Sequence, residues 1–515
     1  MNKKACAIIA ALFAAGALAA EPLLATRAVA GGDAATLPLQ GASAATLEAR
    51  ASAGDITFSP APLAATESYG TPVHEDNDGK KHYLVAFTGA FVTDALIFSW
   101  NRLVLGAGWT RVTPEHAAHF YEHEPEWDTD WYWTNFVLHP YQGALSYMVG
   151  RSANLNRIES FALATLFDFG WEYFCETTSP SKNDMVYSSL GAFPVGEMLY
   201  RLSLEAEQLH ALFGYVVNPE RLWSEFWTRQ KPRGTVGNIH ELALSFAVGT
   251  TYARTTFGYD IATQNELFPV FASPKIAIVY NDPYGHDSNN PYSQFNMDIR
   301  FAFGAPSGEG ITSLYEKLFF DISIMSDGML LARAPELGDT AVTLGPVLEY
   351  DFIWNNVVQL SSLAPGFAFK QRIPLANSDI EYQLHAAWLA LGTTQFDYLY
   401  RGVVAAPDYL FREYSYTTGA ELVARFRWRT LAGQALTFDL HGYAMYDFAD
   451  QEQDCADTGW ELIALATAGY ELPLSRVVRL GIEDQLYAKR TLYRRLEDVT
   501  LLTNSARVFV KWQLK

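Results

Sequence analysis

The sequence predicts a membrane β-barrel of about 12 antiparallel strands, preceded by an N-terminal α-helical domain that caps or fills the barrel. Three observations lead to this fold class. The first residues are typical of an export signal, aromatic residues make up 14% of the chain, and hydrophobic residues in the second half recur every two positions. After the signal, the chain has no run of about 18 purely apolar residues, which a membrane-spanning helix requires.

The N-terminal segment is predicted to serve export. Residues 1–20 are typical of a signal peptide, because Lys3 and Lys4 precede an apolar run that ends in small residues. Residues 21–78 are rich in Ala, Thr, Pro and Gly, which favours a flexible periplasmic leader. The predicted location of the mature protein is therefore the outer membrane, with outer-membrane lipid as a partner.

Charge and motifs limit the other partners. The formal net charge is −20 at pH 7, and a strongly acidic chain is repelled by nucleic acid, so we expect no nucleic-acid partner. The sequence carries no recognisable cofactor motif, and we expect no cofactor. A small-molecule or lipid ligand stays open at this stage, as does the oligomeric state.

A helical domain is predicted over residues 79–232. Its first apolar segment, Tyr83–Leu105, contains Asp94, Asn101 and Arg102. A helix in contact with lipid would rarely tolerate three such residues. We therefore expect this helix to pack against protein.

The next predicted helix, which begins at Thr113 and Pro114, offers a possible metal site. Three histidines recur there at helical spacing, and imidazoles on one helix face can bind a transition metal. These candidate ligands are His116, His119 and His123. The neighbouring Glu122 and Glu124 fit a solvated surface helix, so both interpretations stay open.

A polar stripe marks the helix predicted from Ile158 to Cys175. Its members recur about every four residues and share one face; they are Ser160, Asp168, Glu172 and Glu176. Carboxylates on an otherwise apolar helix need hydrogen-bond donors or water. The candidate donors are His139, Arg151, Arg201 and the start of the following helix at Asp184.

The helix that follows is expected to stop before Pro194, because proline removes a backbone donor and clashes with the preceding turn. A separate helix is then predicted over residues 194–212. Within it, Glu197 and Arg201 are four residues apart, which predicts an ion pair on one helix face.

The barrel is predicted over residues 233–515, where the hydrophobic period changes to two. In residues 295–300, for example, Phe, Met and Ile alternate with Asn, Asp and Arg. One apolar and one polar face per strand are typical of lipid outside and a polar lumen inside. The strands are expected to begin near positions 240, 272, 292, 313, 339, 356, 379, 413, 434, 459, 475 and 501. This even count places both ends of the barrel in the periplasm.

Several motifs of the helical domain resemble one uncharacterised bacterial family. They are Trp127-Asp-Thr-Asp130, Asn135 to Gly143, Arg151, Trp171-Glu172, Glu176, Ser181 to Asp184 and Gly196-Glu197. With them, residues 110–210 resemble the domain of unknown function 3943. The resemblance implies a place in the cell envelope and no assigned activity. It marks polar-core or binding positions, namely Trp127, Asp128, Asp130, Asn135, His139, Gly143, Arg151, Trp171, Glu172, Glu176, Ser181, Asp184 and Glu197.

Two functional classes are compatible with these features. In the favoured class, the protein is a non-enzymatic barrel with a structural, binding or passage role, and a buried polar constellation holds its helices. His139, Glu172, Glu176 and Asp184 also form an inventory for general acid–base catalysis. The alternative class is a lipid-directed outer-membrane hydrolase.

The hydrolase alternative rests on the motif from Tyr284 to Asn289. Its His-x-Ser-Asn pattern resembles that of outer-membrane phospholipases and lipid A deacylases, which implies His286 as base and Ser288 as nucleophile. Asp, Ser, Asn and Gly are also common turn formers. The predicted topology places the motif in a periplasmic turn.

Overall fold

The computed structural model describes residues 70–74, 78–258, 262–305, 318–405, 411–448 and 456–515. The predicted signal peptide and most of the predicted leader lie outside these residues. The described part begins with β1 (Thr71–Val73), which pairs antiparallel with β2 (Gly234–Val236). This small sheet ties the start of the helical region to the segment that leads into the barrel.

The N-terminal half is helical. Its helices are α1 (Tyr83–Trp100), α2 (Pro114–Ala118), α3 (His139–Ser152), α4 (Arg157–Phe174), α5 (Lys182–Glu207), α6 (Ala211–Val217) and α7 (Glu220–Thr228). The four long helices α1, α3, α4 and α5 form a bundle in which α3 and α5 run parallel and α4 runs antiparallel to α5. Asn156 caps α4 through a hydrogen bond from the Glu159 amide at 2.9 Å, and Ser181 caps α5 through one from the Asp184 amide at 3.1 Å.

Helix α5 continues without interruption through Pro194, so the predicted division at this residue is wrong. Close packing against α3 explains the continuity. A Cβ atom at Gly143 of α3 would overlap the carbonyl oxygen of Ser188, and one at Gly191 would lie 3.2 Å from Pro140. Contact at this separation stabilises the continuous helix and offsets the one backbone hydrogen bond that Pro194 removes.

Twelve antiparallel strands close into a barrel, which confirms the predicted fold class and strand number. The strands are β3 (Ile239–Phe257), β4 (Ala262–Tyr280), β5 (Phe295–Gly304), β6 (Phe319–Met329), β7 (Ala341–Asn355), β8 (Gln359–Leu375), β9 (Ser378–Gln395), β10 (Tyr414–Thr430), β11 (Ala435–Asp447), β12 (Gly459–Pro473), β13 (Val478–Tyr493) and β14 (Val499–Gln513). Consecutive strands are neighbours, and β14 pairs with β3 from Val499↔Phe257 to Gln513↔Ala243.

The two barrel ends differ. The end where β3 begins and β14 ends also carries the short turns 376–377, 431–434 and 474–477. Short turns and chain ends are typical of the periplasmic side, so we name this the periplasmic end and the opposite one the outer end. The described parts of the longer connections, 396–405, 411–413, 448 and 456–458, lie at the outer end.

Side chains of each strand point alternately into the lumen and outward. Asp351 on β7 points inward, since it bonds His441 on β11 at 3.2 Å across the barrel. Its neighbours Tyr350 and Phe352 therefore point outward. On β12 to β14 the outward side chains are apolar and exposed, such as Leu462, Ile482 and Val508. A polar lumen within an apolar outer wall confirms the outer-membrane location.

The helical bundle packs against the outer wall of the barrel. Near the outer end, the Tyr132 ring stacks on outward-facing Phe352 at 5.2 Å, and the Tyr187 hydroxyl donates to the Leu391 carbonyl at 3.0 Å. Near the periplasmic end, a continuous apolar core joins α5 to the strands; it includes Met198, Leu199, Leu202, Ile276, Ile278, Met297 and Ile299. The predicted position of the helices, capping or filling the barrel, is therefore corrected. Charged side chains occupy the lumen, whereas the outward face of β3 to β10 offers the apolar surface that the helices need.

Helix α1 lies on the side of the bundle away from the barrel. Small residues face α3 and α4, with Ala86 and Ala90 fully buried. The large residues face away, with Leu84 75% and Leu96 66% exposed. Tyr83–Leu105 is long and apolar enough to cross a bilayer, because 23 helical residues span about 34 Å against a hydrocarbon core of about 30 Å. Since the bundle lies beside the barrel's apolar wall, we expect this face to contact lipid, in contrast to the predicted packing of this helix against protein.

A spin label can test this placement. With Cys175 and Cys455 replaced by Ser, a label at Phe91→Cys should collide with dissolved oxygen more often than with a polar nickel complex, because Phe91 is 61% exposed on the apolar face. A label at Glu336→Cys, in the periplasmic connection 330–340, should show the reverse. Preferential access of the nickel complex to position 91 would place the face in water.

Candidate functional site

Ion pairs connect opposite walls of the barrel through its lumen. Arg300 on β5 donates to Glu483 on β13 at 2.8 Å, and Arg427 on β10 donates to Glu241 on β3 at 2.9 Å. Between these pairs the lumen retains a cavity of about 330 Å³, lined by acidic and basic side chains together. A cavity with such a lining is suited to water, ions and small polar solutes.

A segment between β9 and β10 crosses the outer end of the lumen. This lid, residues 396–405, contains the short helix α8 (Asp397–Tyr400), and Asp397 is fully buried. The Asp397 carboxylate accepts hydrogen bonds from β13, namely from Thr491 (2.6 Å), Tyr493 (3.1 Å) and Lys489 (3.2 Å). Farther along the lid, Arg401 donates to Glu266 on β4 at 2.6 Å. The lid is thus fastened to the wall opposite β9.

A buried histidine–carboxylate cluster lies inside the helical bundle near the outer end. It contains His139 from the start of α3, Glu172 from the end of α4 and Asp184 from the start of α5. One ligand atom from each residue lies within 4.8 Å of the other two, and His139 Nε2 is 3.6 Å from Asp184 Oδ2. These residues are 9%, 2% and 3% exposed, respectively. We call this set the outer cluster.

The start of α5 positions the outer cluster. The Ser181 amide donates to Glu172 Oε2 at 2.7 Å, and the Ser181 hydroxyl donates to Asp128 Oδ2 at 2.9 Å. Asp128 also accepts a hydrogen bond from Asn135 at 2.6 Å. The Trp127 ring packs on the barrel residue Tyr416 at 4.6 Å. The segment 127–135 therefore connects the cluster to the outer wall of the barrel.

A second cluster lies nearer the periplasmic end and is centred on Glu197, which is fully buried. Its carboxylate accepts hydrogen bonds from Arg151 (2.9 Å), Arg157 (2.9 Å), Arg201 (3.0 Å) and Tyr147 (2.9 Å). A cavity of about 180 Å³ adjoins these arginines. We call this set the arginine cluster. It neutralises one buried carboxylate with three cations.

The structure thus divides the predicted polar positions between two places. Arg151 and Arg201, predicted as donors for the carboxylates of the polar stripe, both bind Glu197, while the predicted pair of Glu197 with Arg201 is present. Arg157 belongs to the same cluster but was not predicted, because no helical spacing relates it to Glu197.

The remaining predicted positions have structural contacts. The Trp171 indole donates to Glu176 at 2.6 Å, and burial raises the pKa of the Glu176 carboxyl, which lies after the end of α4. The Asp130 carbonyl accepts a hydrogen bond from the Tyr414 hydroxyl at 2.7 Å. Gly143 provides the close approach of α3 to α5.

The proposed hydrolase pair is not formed. His286 Nε2 contacts the Ser293 hydroxyl at 2.9 Å. The Ser288 hydroxyl instead accepts a hydrogen bond from the Asn290 amide at 3.1 Å within its own turn. Burial lowers the pKa of His286 to about 4, so its imidazole is neutral at pH 7. Both residues lie in the connection 281–294 at the periplasmic end, as predicted.

The three candidate histidine ligands do not meet at one point. Helix α2 ends at Ala118, so the helical spacing is not maintained. The rings of His116 and His123 lie 4.5 Å apart, whereas His119 Nδ1 contacts the Glu115 carbonyl at 2.8 Å. Within the described chain, the groups with ligand atoms close enough for a metal are the outer cluster and two sets in the lumen, Asp327–Glu349–His385 and Asp351–Glu421–His441.

Comparison with known families concerns the helical bundle. Residues 124–219 match the model of the family described as "Domain of unknown function (DUF3943)". The predicted resemblance is thereby confirmed. The DUF3943 match contains both the outer cluster and the arginine cluster.

Comparison with solved structures concerns the barrel. An outer membrane channel from Pseudomonas putida F1 is similar at 9% identity and a TM-score of 0.28, over 52% of this chain and 94% of that chain. The Pseudomonas putida toluene transporter TodX is similar at 7% identity and a TM-score of 0.24, over 53% of this chain and 88% of that chain. The transport unit of the autotransporter AIDA-I from Escherichia coli is similar at 9% identity and a TM-score of 0.26, over 53% of this chain and 90% of that chain. Among curated proteins, none matches.

The arginine cluster leads to a stability prediction. Glu197→Gln keeps the side-chain size but leaves three buried arginines without a carboxylate, and removing one partner of a buried ion pair costs about 3–5 kcal/mol. Thermal unfolding of the helices, followed by circular dichroism, should shift to lower temperature while the barrel still resists detergent on an unheated gel. Asp287→Asn, at the exposed pair with Arg333, should change the free energy of unfolding by about 0.5 kcal/mol or less. Equal destabilisation by both substitutions would contradict the role of Glu197.

Proposed function

We propose that the protein is an outer-membrane passage for small polar solutes, and that the lid holds its outer mouth closed. The observation that supports the proposal most directly is a charged lumenal cavity beneath a segment fastened by a buried carboxylate. A lumen built only for stability needs no such cavity, since small barrels fill their interior with side chains.

The lining of the cavity indicates the class of solute. Acidic and basic groups alternate along it, with Lys275 and Arg507 near Asp298 and Glu483. Opposed charges leave no strong field of one sign, so selection by net charge is weak. The cavity volume of about 330 Å³ accommodates small hydrophilic molecules and hydrated ions.

The fastening of the lid depends on charge. Lys489 Nζ lies 3.2 Å from Asp397 and 2.9 Å from Glu461, and all three residues are nearly inaccessible. Removing the Asp397 charge leaves Lys489 with one carboxylate and weakens the charge-assisted hydrogen bonds that hold the lid to β13. The barrel wall does not depend on this contact, because its strands pair independently of it.

Conductance in planar bilayers tests the proposal. The parent protein should conduct in rare openings, and Asp397→Asn should raise the time-averaged conductance at least about tenfold, which corresponds to about 1.4 kcal/mol in the closed-to-open equilibrium. Asp498→Asn is the control, because Asp498 forms an exposed pair with Arg490 at the same end and does not fasten the lid. Equal conductance in parent and Asp397→Asn would contradict the role of the lid. Absence of conductance in every variant would contradict a passage.

A further inference from the structure

We infer that the outer cluster binds one divalent transition-metal ion of the zinc or manganese class, with His139, Glu172 and Asp184 as its ligands. The site lies inside the helical bundle, outside the barrel lumen. The inference is therefore independent of the proposed passage. Neither the sequence motifs nor the family match assigns such a site.

The carboxylates near the start of α5 need positive charge to balance them. Glu172 and Asp184 are almost inaccessible, and Asp128 contacts the same helix start. The positive end of α5 at Ser181 is equivalent to about half an elementary charge, which is less than three carboxylates require. The arginines of the bundle core bind Glu197 near the other end of α5. A divalent cation between the carboxylates would supply the missing positive charge.

One oxygen atom of Glu172 has no hydrogen-bond donor among the described residues. Glu172 Oε2 accepts the Ser181 amide, but Oε1 is buried and meets no hydrogen-bond donor in the part of the chain that the structure describes. A buried carboxylate oxygen in this state is costly unless a cation binds it. Because Glu172 supplies one of the three converging ligand groups, a metal ion at their centre would bind this carboxylate directly.

The donor types indicate the metal class. One imidazole with two carboxylates suits zinc, manganese or iron, whereas calcium and magnesium prefer oxygen ligands alone. Ligand atoms about 2.1 Å from a metal lie at most about 4.2 Å apart, so the separations within 4.8 Å need only a small contraction. Three protein ligands leave at least one coordination position open to water or a substrate.

One of the two lumenal sets provides a matched comparison. In the set Asp327–Glu349–His385, Asp327 contacts Lys370 Nζ at 2.9 Å and also pairs with Arg425. His385 Nδ1 lies 2.7 Å from Glu349. Two fixed cations therefore already bind Asp327. The outer cluster has the same residue types, but in the described part of the chain neither Glu172 nor Asp184 forms an ion pair with a lysine or an arginine.

Metal analysis of the full-length protein tests the inference. Protein purified in detergent is treated with chelator, incubated with Zn²⁺ or Mn²⁺, separated from free metal by gel filtration and measured by mass spectrometry. We expect the parent to retain one equivalent, and Glu172→Gln and Asp184→Asn to lose it. His385→Gln, the matched lumenal control, should retain it. Unheated gel mobility and helical circular dichroism identify the folded variants.

Cobalt provides a second readout that does not depend on a variant's folding. Co²⁺ bound to the parent should show visible d–d absorption, and Zn²⁺ should displace it, whereas Ca²⁺ should not. Zn²⁺ should also raise the unfolding temperature of the helices in the parent. The inference is overturned if the parent retains no metal, if folded Glu172→Gln and Asp184→Asn retain as much as the parent, or if only His385→Gln loses it.

Discussion

A charge held away from water must meet a partner, and this constraint organises both halves of the molecule. In the barrel, the inward positions carry ion pairs that join opposite walls, such as Arg427 with Glu241. In the bundle, a buried carboxylate is stable only if donors surround it, as the three arginines surround Glu197. The apolar surfaces of both halves then pack together on the outer wall of the barrel.

The two-residue periodicity of the sequence was sufficient to predict the strands. It could not predict whether lipid or a helix covers the outward face of each strand. Predicted starts at 379, 413 and 459 lie within one residue of the observed β9, β10 and β12, because lumenal charges alternate there with apolar residues. The start predicted at 272 was ten residues late, since polar residues at both kinds of position precede it in β4. An outward Phe352 has the same pattern whether lipid or a helix covers it. The placement of the bundle therefore could not be read from the pattern.

The residue types of the polar clusters could be predicted from the sequence. Most of the contacts between these residues could not. Helical spacing related Glu197 to Arg201 correctly, because a pair four residues apart depends on one helix alone. Contacts between helices, such as Arg157 with Glu197 or His139 with Asp184, depend on how the helices pack. The fastening of Asp397 by β13 joins residues that are 92 to 96 positions apart in sequence. Local spacing contains no signal for a contact of this kind.

The direction of α5 explains why carboxylates gather at its start and arginines near its end. Its N-terminus, with free backbone amides and a partial positive charge, lies beside Glu172 and Asp184, and the Ser181 amide donates to Glu172. Arg201 lies in its last two turns, toward the negative end, and binds Glu197 together with Arg151 and Arg157. The Glu197 carboxylate is therefore balanced by side chains of the chain itself. The partial positive charge at the start of α5, about half an elementary charge, cannot balance the carboxylates of the outer cluster. The remaining positive charge has to come from a proton or a bound cation.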